Sequence, residues 1–427
     1  MSQTTSPNSQ STNNAKQSAS NIDGRSPVSI LSNRALALKP SPTLALNQKA
    51  KELKDKGMDV VSLSIGEPDW SMCDEAAQGV SEALAKGLTK YTVATGIPEL
   101  KKAIAERTTE QVGVAYTAKD VVVGTGAKYI LYGLFQVLLN DGDEVMIPTP
   151  YWVSYPAMVE LAGGVSVIVE TQEKNRFKLK KAELQAKVTA KTKMLLLCSP
   201  NNPTGLYYSQ EELQEIASFL KENPNVLLVS DDIYNRLVFS DELAAPHILQ
   251  TYPELKNQVI IVNGASKAYA MTGLRVGWAL GEAKIMTALG DLISQSTSNL
   301  CSLSQYAALK ALQHGEASIK SARQILISRK KICLDLFKSI SNFEVMEPDG
   351  AFYFWISVSK CFGKTYKGQK IQSSKQISEI LLVDFLVAMV PGLEFGVDSY
   401  IRMSIASSEK DLTKAIARIA EFDKALV

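Results

Sequence analysis

Histidine is almost missing from this chain of 427 residues, which has only His247 and His314. Neither has a cysteine, histidine or glutamate at a zinc-like spacing. Most histidine-based triads and metal hydrolases are thereby excluded, no metal site is expected, and both histidines read as surface residues. Cysteine is sparse and odd in number (Cys73, Cys198, Cys301, Cys333, Cys361). The scatter suits a reduced, intracellular setting with buried or incidental thiols. No apolar run approaches the ~20 residues needed to span a bilayer. Neither sign of charge dominates: 46 basic against 44 acidic residues leave a net +2. No polyanion-binding surface follows, so neither nucleic acid nor membrane is an expected partner. The remaining composition, 45% apolar and 21% charged, excludes a mainly disordered chain or a rod. The length suffices for a large core and two to three domains.

Residues 1–26 are rich in Ser, Asn, Thr and Gln and nearly devoid of bulky apolar side chains. They read as a disordered tail with no apolar signal segment. Lys16 and Arg25 are their only cations, so organellar targeting is the lesser alternative to a cytoplasmic protein. Beyond the tail, apolar runs alternate with amphipathic stretches. Strands are predicted at Val60–Ile65, Asp120–Val123, Glu144–Ile147, Val165–Val169, Lys193–Cys198, Val226–Ser230, Val259–Val262 and Val276–Leu280. Several are continuously apolar, as expected of parallel strands covered on both faces. Helices are predicted at Cys73–Ala85, Pro98–Gln111, Lys128–Leu139 and Gln210–Lys221, with a long helical stretch over Leu303–Leu336. The pattern is α/β: a large domain around a mostly parallel central sheet with helices on both faces, plus a smaller α+β domain. The expected division is 27–70 packing with the small domain, 71–300 as the large domain, and 301–427 as the small one.

Ligands of doubly wound sheets gather where strands end and helices begin. Gly124-Thr125-Gly126-Ala127-Lys128 joins an apolar strand to a periodic helix, which is either an anion site of free N–H groups or a plain turn. Ser199–Gly205 is a loop stiffened by two prolines. It is either a rigid ligand holder or a capped turn. Asp231 and Asp232 end a strand, either as surface turn acids or as buried carboxylates that need a donor or cation. Lys267, also at a strand end, is either a solvated charge or a desolvated amine with a lowered pKa.

Taken together, the motifs resemble a class I, fold-type-I aminotransferase dependent on pyridoxal 5′-phosphate, of the bacterial-type aspartate aminotransferase subgroup. They are S-I-G-E-P-D at 64–69, K-Y-T-V-A-T-G at 90–96, P-Y-W-V-S-Y at 150–155, S-P-N-N-P-T-G at 199–205, S-D-D-I-Y at 230–234, N-G-A-S-K-A-Y-A-M-T-G-L-R-V-G at 263–277, G-A-F-Y at 350–353 and Y-I-R-M-S at 400–404. They follow the family's order from about residue 38 onward, leaving only the tail outside.

The resemblance implies a role for each matching residue. Lys267 is the Schiff-base lysine and the base that shuttles a proton. Asp231 keeps the ring nitrogen protonated, and Tyr234 and Asn202 bond the ring oxygen. Gly126, Ala127, Ser266 and Arg275 hold the phosphate, Trp152 stacks on the ring, and Tyr91 reaches the phosphate from the other subunit of a homodimer. Arg402, with the backbone at Gly66, takes the substrate α-carboxylate. Lys128, beside the phosphate, takes a side-chain carboxylate or merely helps the phosphate, and Thr43 lines the same pocket. The implied reaction moves an amino group between L-aspartate and 2-oxoglutarate in two half-reactions. The alternatives are the same chemistry on aromatic, prephenate or alanine-type substrates, or a β-lyase. A regulator of this fold needs a DNA-reading domain for which the tail is too short. Two departures, Tyr155 where some relatives have histidine and the sequence around Pro42 and 69–74, are expected to bear on substrate preference and not on the amine chemistry.

Overall fold

The computed structural model describes residues 30–38, 40 and 42–427, so the expected tail at 1–26 lies outside it. Chain contacts divide it into a unit ending at Lys39 and one running from Pro40 to Val427. In the first, a short helix at Asn33–Ala37 begins at Ser32, whose hydroxyl accepts the Ala35 N–H.

All the strands lie in the second unit. In chain order they are β1 (Val61–Ser62), β2 (Val121–Thr125), β3 (Glu144–Pro148), β4 (Val165–Val169), β5 (Thr192–Cys198), β6 (Leu227–Asp231), β7 (Val259–Gly264), β8 (Val276–Leu280), β9 (Glu344–Met346), β10 (Tyr353–Ser357), β11 (Thr365–Tyr366), β12 (Gln369–Lys370), β13 (Val387–Ala388), β14 (Val390–Pro391) and β15 (Tyr400–Ser404). Seven form one sheet in the order β2-β8-β7-β6-β5-β3-β4. All its pairings are parallel except those of β8 with β2 and β7.

The continuous apolar runs have the predicted cause. Side chains of a strand alternate between faces, and both faces of this sheet are buried. Val229, Ile260 and Val262 face one core with Leu131, Leu134 and Phe135 of the helix Ala127–Leu138 and with Leu289 and Ile293 of the helix Ala283–Ser296. Leu228, Val259 and Ile261 face the other core with Leu100 and Ile104 of Pro98–Val112 and Leu213 and Ile216 of Gln210–Glu222. Each such side chain contributes about 1.5–3 kcal/mol on burial, which is why helices cover both sides.

A second, antiparallel sheet has the order β14-β15-β10-β9, and β1 pairs in parallel with β13. The expected strand at Val60–Ile65 is therefore only two residues long. Ser404 N–H donates to the Leu63 carbonyl. The helix Pro42–Asp55 packs on β13 and β14. The stretch 303–336 is two helices, Ser302–His314 and Glu316–Phe337, parted at Gly315. Among the described residues, no helix is long and apolar enough to cross a membrane.

This topology decides where chemistry can gather. The C-terminal ends of β2, β5, β6 and β7 and the start of β8 lie at one edge of the large sheet, because β8 alone runs backwards. The loops carrying Gly126–Lys128, Asn202, Asp231, Ser266–Lys267 and Arg275 all open there.

Candidate active site

A cavity of about 330 Å³ lies at that edge. Lys267 and Asp231 line it together, with Trp152 and Ser266. Asp231 is the last residue of β6, paired beside Cys198 of β5, and is only 4% exposed. Burial pushes its carboxyl up to about 6, against the Tyr155 hydroxyl, the Ile233 N–H and Lys267, which favour the charged form. The Tyr155 hydroxyl donates to Asp231 Oδ2 at 2.6 Å and the Ile233 N–H to Oδ1 at 3.3 Å. The Lys267 amine donates to the Gly66 carbonyl. Burial lowers its pKa to about 8, while Glu67 opposes and Arg402 and Arg275 reinforce the shift. An amine there is free base for a useful fraction of the time near neutrality, as a proton shuttle requires.

At one end, β2 passes into the helix Ala127–Leu138 through Gly126, with φ of +83°. A side chain at Gly126 would also strike the Arg275 guanidinium. The N–H groups of Ala127 and Lys128 open the helix, where no preceding turn can accept them. Arg275, with Nη1 on the Thr272 carbonyl at 2.8 Å, stands beside them. This is a cradle for an anion at a helix N-terminus backed by a guanidinium. Lys128 Nζ sits 4.8 Å from the Trp152 ring centroid. Partial burial, followed by Arg275, lowers its pKa.

At the other end, Arg402 of β15 is 3% exposed. Nη1 donates to Asn202 Oδ1 at 2.9 Å and Nη2 to the Ser64 carbonyl at 2.6 Å, while the buried Nε has no partner. Burial lowers its pKa, opposed by Tyr353 and Tyr234. The Tyr234 hydroxyl lies 2.8 Å from that of Tyr353. Ser64 in turn donates to Asn47 Oδ1 at 2.5 Å, so the helix Pro42–Asp55 touches the same network. Among the described residues, Lys128, Arg275 and Arg402 take part in no ion pair, although the protein has many elsewhere. A cavity with this uncompensated positive charge fits an anionic ligand.

Most residues expected from the sequence thus meet around one space: Gly66, Ala127, Lys128, Trp152, Asn202, Asp231, Tyr234, Ser266, Lys267, Arg275 and Arg402 all line it, and Gly126 lies just behind. Tyr91 does not join them and is 90% exposed. The side chain of Thr43 lies outside the described residues, although its neighbours Leu44 and Asn47 line the cavity.

Two expectations need correction. Tyr155, expected to bear on substrate preference alone, has its hydroxyl on Asp231. His247 is 5% exposed rather than a surface residue. Its Nδ1 accepts the Leu249 N–H at 3.2 Å, and Nε2 faces Asp232 Oδ2 at 3.7 Å, so it caps a short helix within the fold. Of the two readings left open for Asp231 and Asp232, the structure selects buried carboxylates. Sequence reasoning assigned no role to Tyr353, Asn47 or Cys198, which also line the cavity. Tyr353 was within reach, since it stands in the G-A-F-Y motif, but nothing in that motif says which side chain faces the site.

Comparison with known proteins agrees with this geometry. The family profile of class I and II aminotransferases matches residues 58–419. An aspartate aminotransferase of Bacillus sp. (strain YM-2) is 43% identical over 397 residues, covering 92% of this chain and 99% of its own. A probable aspartate/prephenate aminotransferase of Rickettsia conorii is 42% identical over 393 residues, covering 92% and 98%. Among solved structures, the aspartate aminotransferase of Rhizobium meliloti superposes with a TM-score of 0.90 at 36% identity, covering 93% of this chain and 99% of its own. That of Thermus thermophilus with maleate superposes at 0.85 and 38% identity, covering 92% and 99%. With the profile spanning most of the chain and the relatives matching nearly end to end, the protein belongs to the class I and II aminotransferases, pyridoxal 5′-phosphate enzymes that transfer amino groups between amino and oxo acids.

Proposed function

We propose that this aminotransferase exchanges the amino group between L-aspartate and 2-oxoglutarate, giving oxaloacetate and L-glutamate. The observation that carries the reading is charge. One cavity is lined by Lys267 and by three cations without carboxylate partners among the described residues, Arg275, Lys128 and Arg402. A phosphate and two substrate carboxylates match that set, whereas a neutral side chain leaves Lys128 without a counter-charge. The relatives named for aspartate support the same substrate.

The residues present fit the cofactor. The cradle at Gly126–Lys128, with Ser266 and Arg275, suits its phosphate, and Trp152 offers a face for its ring. Asp231 is a buried acid aimed into the cavity, suited to keep a proton on the ring nitrogen. When bound, pyridoxal phosphate supplies an electron-withdrawing ring and an aldehyde carbon that carries the amino group. The chain's own groups do the rest. Lys267 Nζ would hold the cofactor, and its amine, lowered to about 8 by burial, would carry the proton to and from the substrate Cα. Tyr234 and Asn202 hold the ring oxygen. Arg402 exchanges its contacts with Asn202 and Ser64 for the α-carboxylate, which fixes the Cα bond that breaks. Lys128, on a flexible stem, meets the distal carboxylate.

In this reading residues 71–300 form the large domain and 301–427 the small one, which closes over bound dicarboxylate to exclude water. Tyr91, so exposed in the single chain, reaches the phosphate of the partner subunit in a cytoplasmic homodimer.

Prephenate is the second reading, favoured by relatives named for both substrates, and it too is a dicarboxylic oxo acid. The test is kcat/KM for aspartate, glutamate, phenylalanine and alanine as donors, with 2-oxoglutarate, oxaloacetate and prephenate as acceptors, for the wild type and Lys128→Met. Aspartate is expected to lead, and the variant to lose about 10- to 100-fold on dicarboxylic substrates only, the worth of a charge-assisted hydrogen bond. Alanine outrunning aspartate, or equal losses on all substrates, contradicts the assignment. Pyruvate and ammonia released without an acceptor mark a β-lyase.

A further inference from the structure

Tyr353 is a buried polar side chain of the site to which the reaction above assigns nothing. It is 1% exposed and opens β10. Antiparallel pairing sets Tyr353 opposite Ser404 and Trp355 opposite Arg402, so Tyr353 and Arg402 are diagonal neighbours, within reach of long side chains. The Arg402 guanidinium carbon lies 4.5 Å from the Tyr353 ring centroid. The Tyr353 hydroxyl lies 2.8 Å from the Tyr234 hydroxyl, the two rings crossing at 78°. Gly66 presses on the same hydroxyl, and any Cβ at that position would collide with it. Tyr353 thus touches three groups drawn from three separate segments of the chain: the tyrosine assigned to the cofactor's ring oxygen, the arginine assigned to the α-carboxylate, and the loop whose carbonyl meets Lys267.

We propose that Tyr353 is a positioning residue coupling the two ends of the site: its hydroxyl donates to Tyr234 and strengthens Tyr234 as a donor to the cofactor's ring oxygen, while its ring face holds the Arg402 guanidinium for the α-carboxylate. The inference rests on the aminotransferase reading and adds a residue to it. A phenol has one proton to give; with that of Tyr234 spent on the ring oxygen, the bond between the two hydroxyls leaves Tyr353 as its donor. Chains of hydrogen bonds polarise one another, each member by roughly a tenth to a third. A weaker Tyr234 donor leaves more negative charge on the ring oxygen, and that charge retains the proton on the adjoining Lys267 nitrogen.

The test uses Tyr353→Phe and Tyr353→Leu in the holoenzyme. One readout is the pH midpoint of the bound cofactor's colour change. The other is the dissociation constant of maleate, a dicarboxylate with no amino or keto group, followed by the same absorbance. Tyr353→Phe keeps the ring, so its midpoint is expected to rise by about 0.2–0.6 pH unit with maleate affinity within twofold of wild type. Tyr353→Leu is expected to weaken maleate about 10- to 30-fold, as loss of a desolvated cation–π contact predicts. An unmoved midpoint in Tyr353→Phe, or unchanged maleate binding in a folded Tyr353→Leu, overturns the coupling while leaving the aminotransferase reading intact. A wild type that takes up no pyridoxal phosphate overturns both. A failure of the leucine variant to fold does not rescue the proposal, because the phenylalanine variant decides the Tyr234 half alone.

Discussion

Replacing Tyr155 with phenylalanine removes one hydroxyl from beside Asp231 and leaves the packing almost unchanged. That hydroxyl donates to Asp231 Oδ2 at 2.6 Å with both residues buried, so it is a charge-assisted bond to a desolvated carboxylate. Such a bond contributes about 1.5–3 kcal/mol, which at 1.36 kcal/mol per pKa unit is about 1–2 units. Asp231, pushed by burial from 3.8 to about 6 with Tyr155 opposing, should then titrate near 7–8 in the variant (about 1–2 units higher). The sign follows from linkage. An acid whose folded pKa exceeds its unfolded value binds its proton more tightly in the native state, so stability is fully present below pH 3.8 and lost as pH rises to the folded pKa. In the wild type Asp231's share of that loss ends near pH 6; in Tyr155→Phe it continues for another one to two units. Urea unfolding of the cofactor-free protein at pH 5 and pH 9 measures it. The gap between wild type and variant should widen from pH 5 to pH 9 by about 1.5–3 kcal/mol, and the variant should bind pyridoxal phosphate more weakly at pH 7. A gap that stays constant with pH refutes the reasoning, because Tyr155 would then support packing and not the charge of Asp231.

Other consequences are as direct. Gly126→Ala puts a Cβ at φ +83° against Arg275; with about 1–2 kcal/mol of left-handed strain alone, the cofactor-free protein should bind pyridoxal phosphate at least tenfold more weakly, measured by absorbance titration. Asp232 is pushed up to about 8, chiefly by burial and then by Asp231, with Ser230 opposing, so it costs stability progressively between pH 3.8 and pH 8. Asp232→Asn should flatten that part of the urea-stability profile and stabilise the protein at pH 9. Lys267→Ala should lower amino transfer by several orders of magnitude and abolish the cofactor's colour change with pH, whatever its effect on phosphate affinity.

The sheet was legible because its strands are apolar on both faces. Alternation of apolar with polar residues is unnecessary when the adjacent Leu228 and Val229 are each buried in a different core. The site loops were legible because glycine, proline and charged residues interrupt those runs at strand ends. Contacts formed between distant segments were not. Nothing local to Tyr155 says that its hydroxyl reaches Asp231, 76 positions away, and nothing in G-A-F-Y says that Tyr353 meets Tyr234. His247 read as exposed because polar residues usually are. Its burial depends on a backbone N–H and on the facing Asp232, both set by folding. The two-residue β1 likewise owes its place to β13, near the other end of the chain, and not to its own pattern.

The reaction proposed for this site carries an amino group off aspartate and hands it to an oxo acid, and a single turnover exposes that step. The holoenzyme is mixed with L-aspartate and no acceptor. Its yellow colour should fade with one oxaloacetate formed per site, and return with one glutamate when 2-oxoglutarate is added. Colour that persists with aspartate, or product that keeps accumulating without an acceptor, contradicts the assignment of the site.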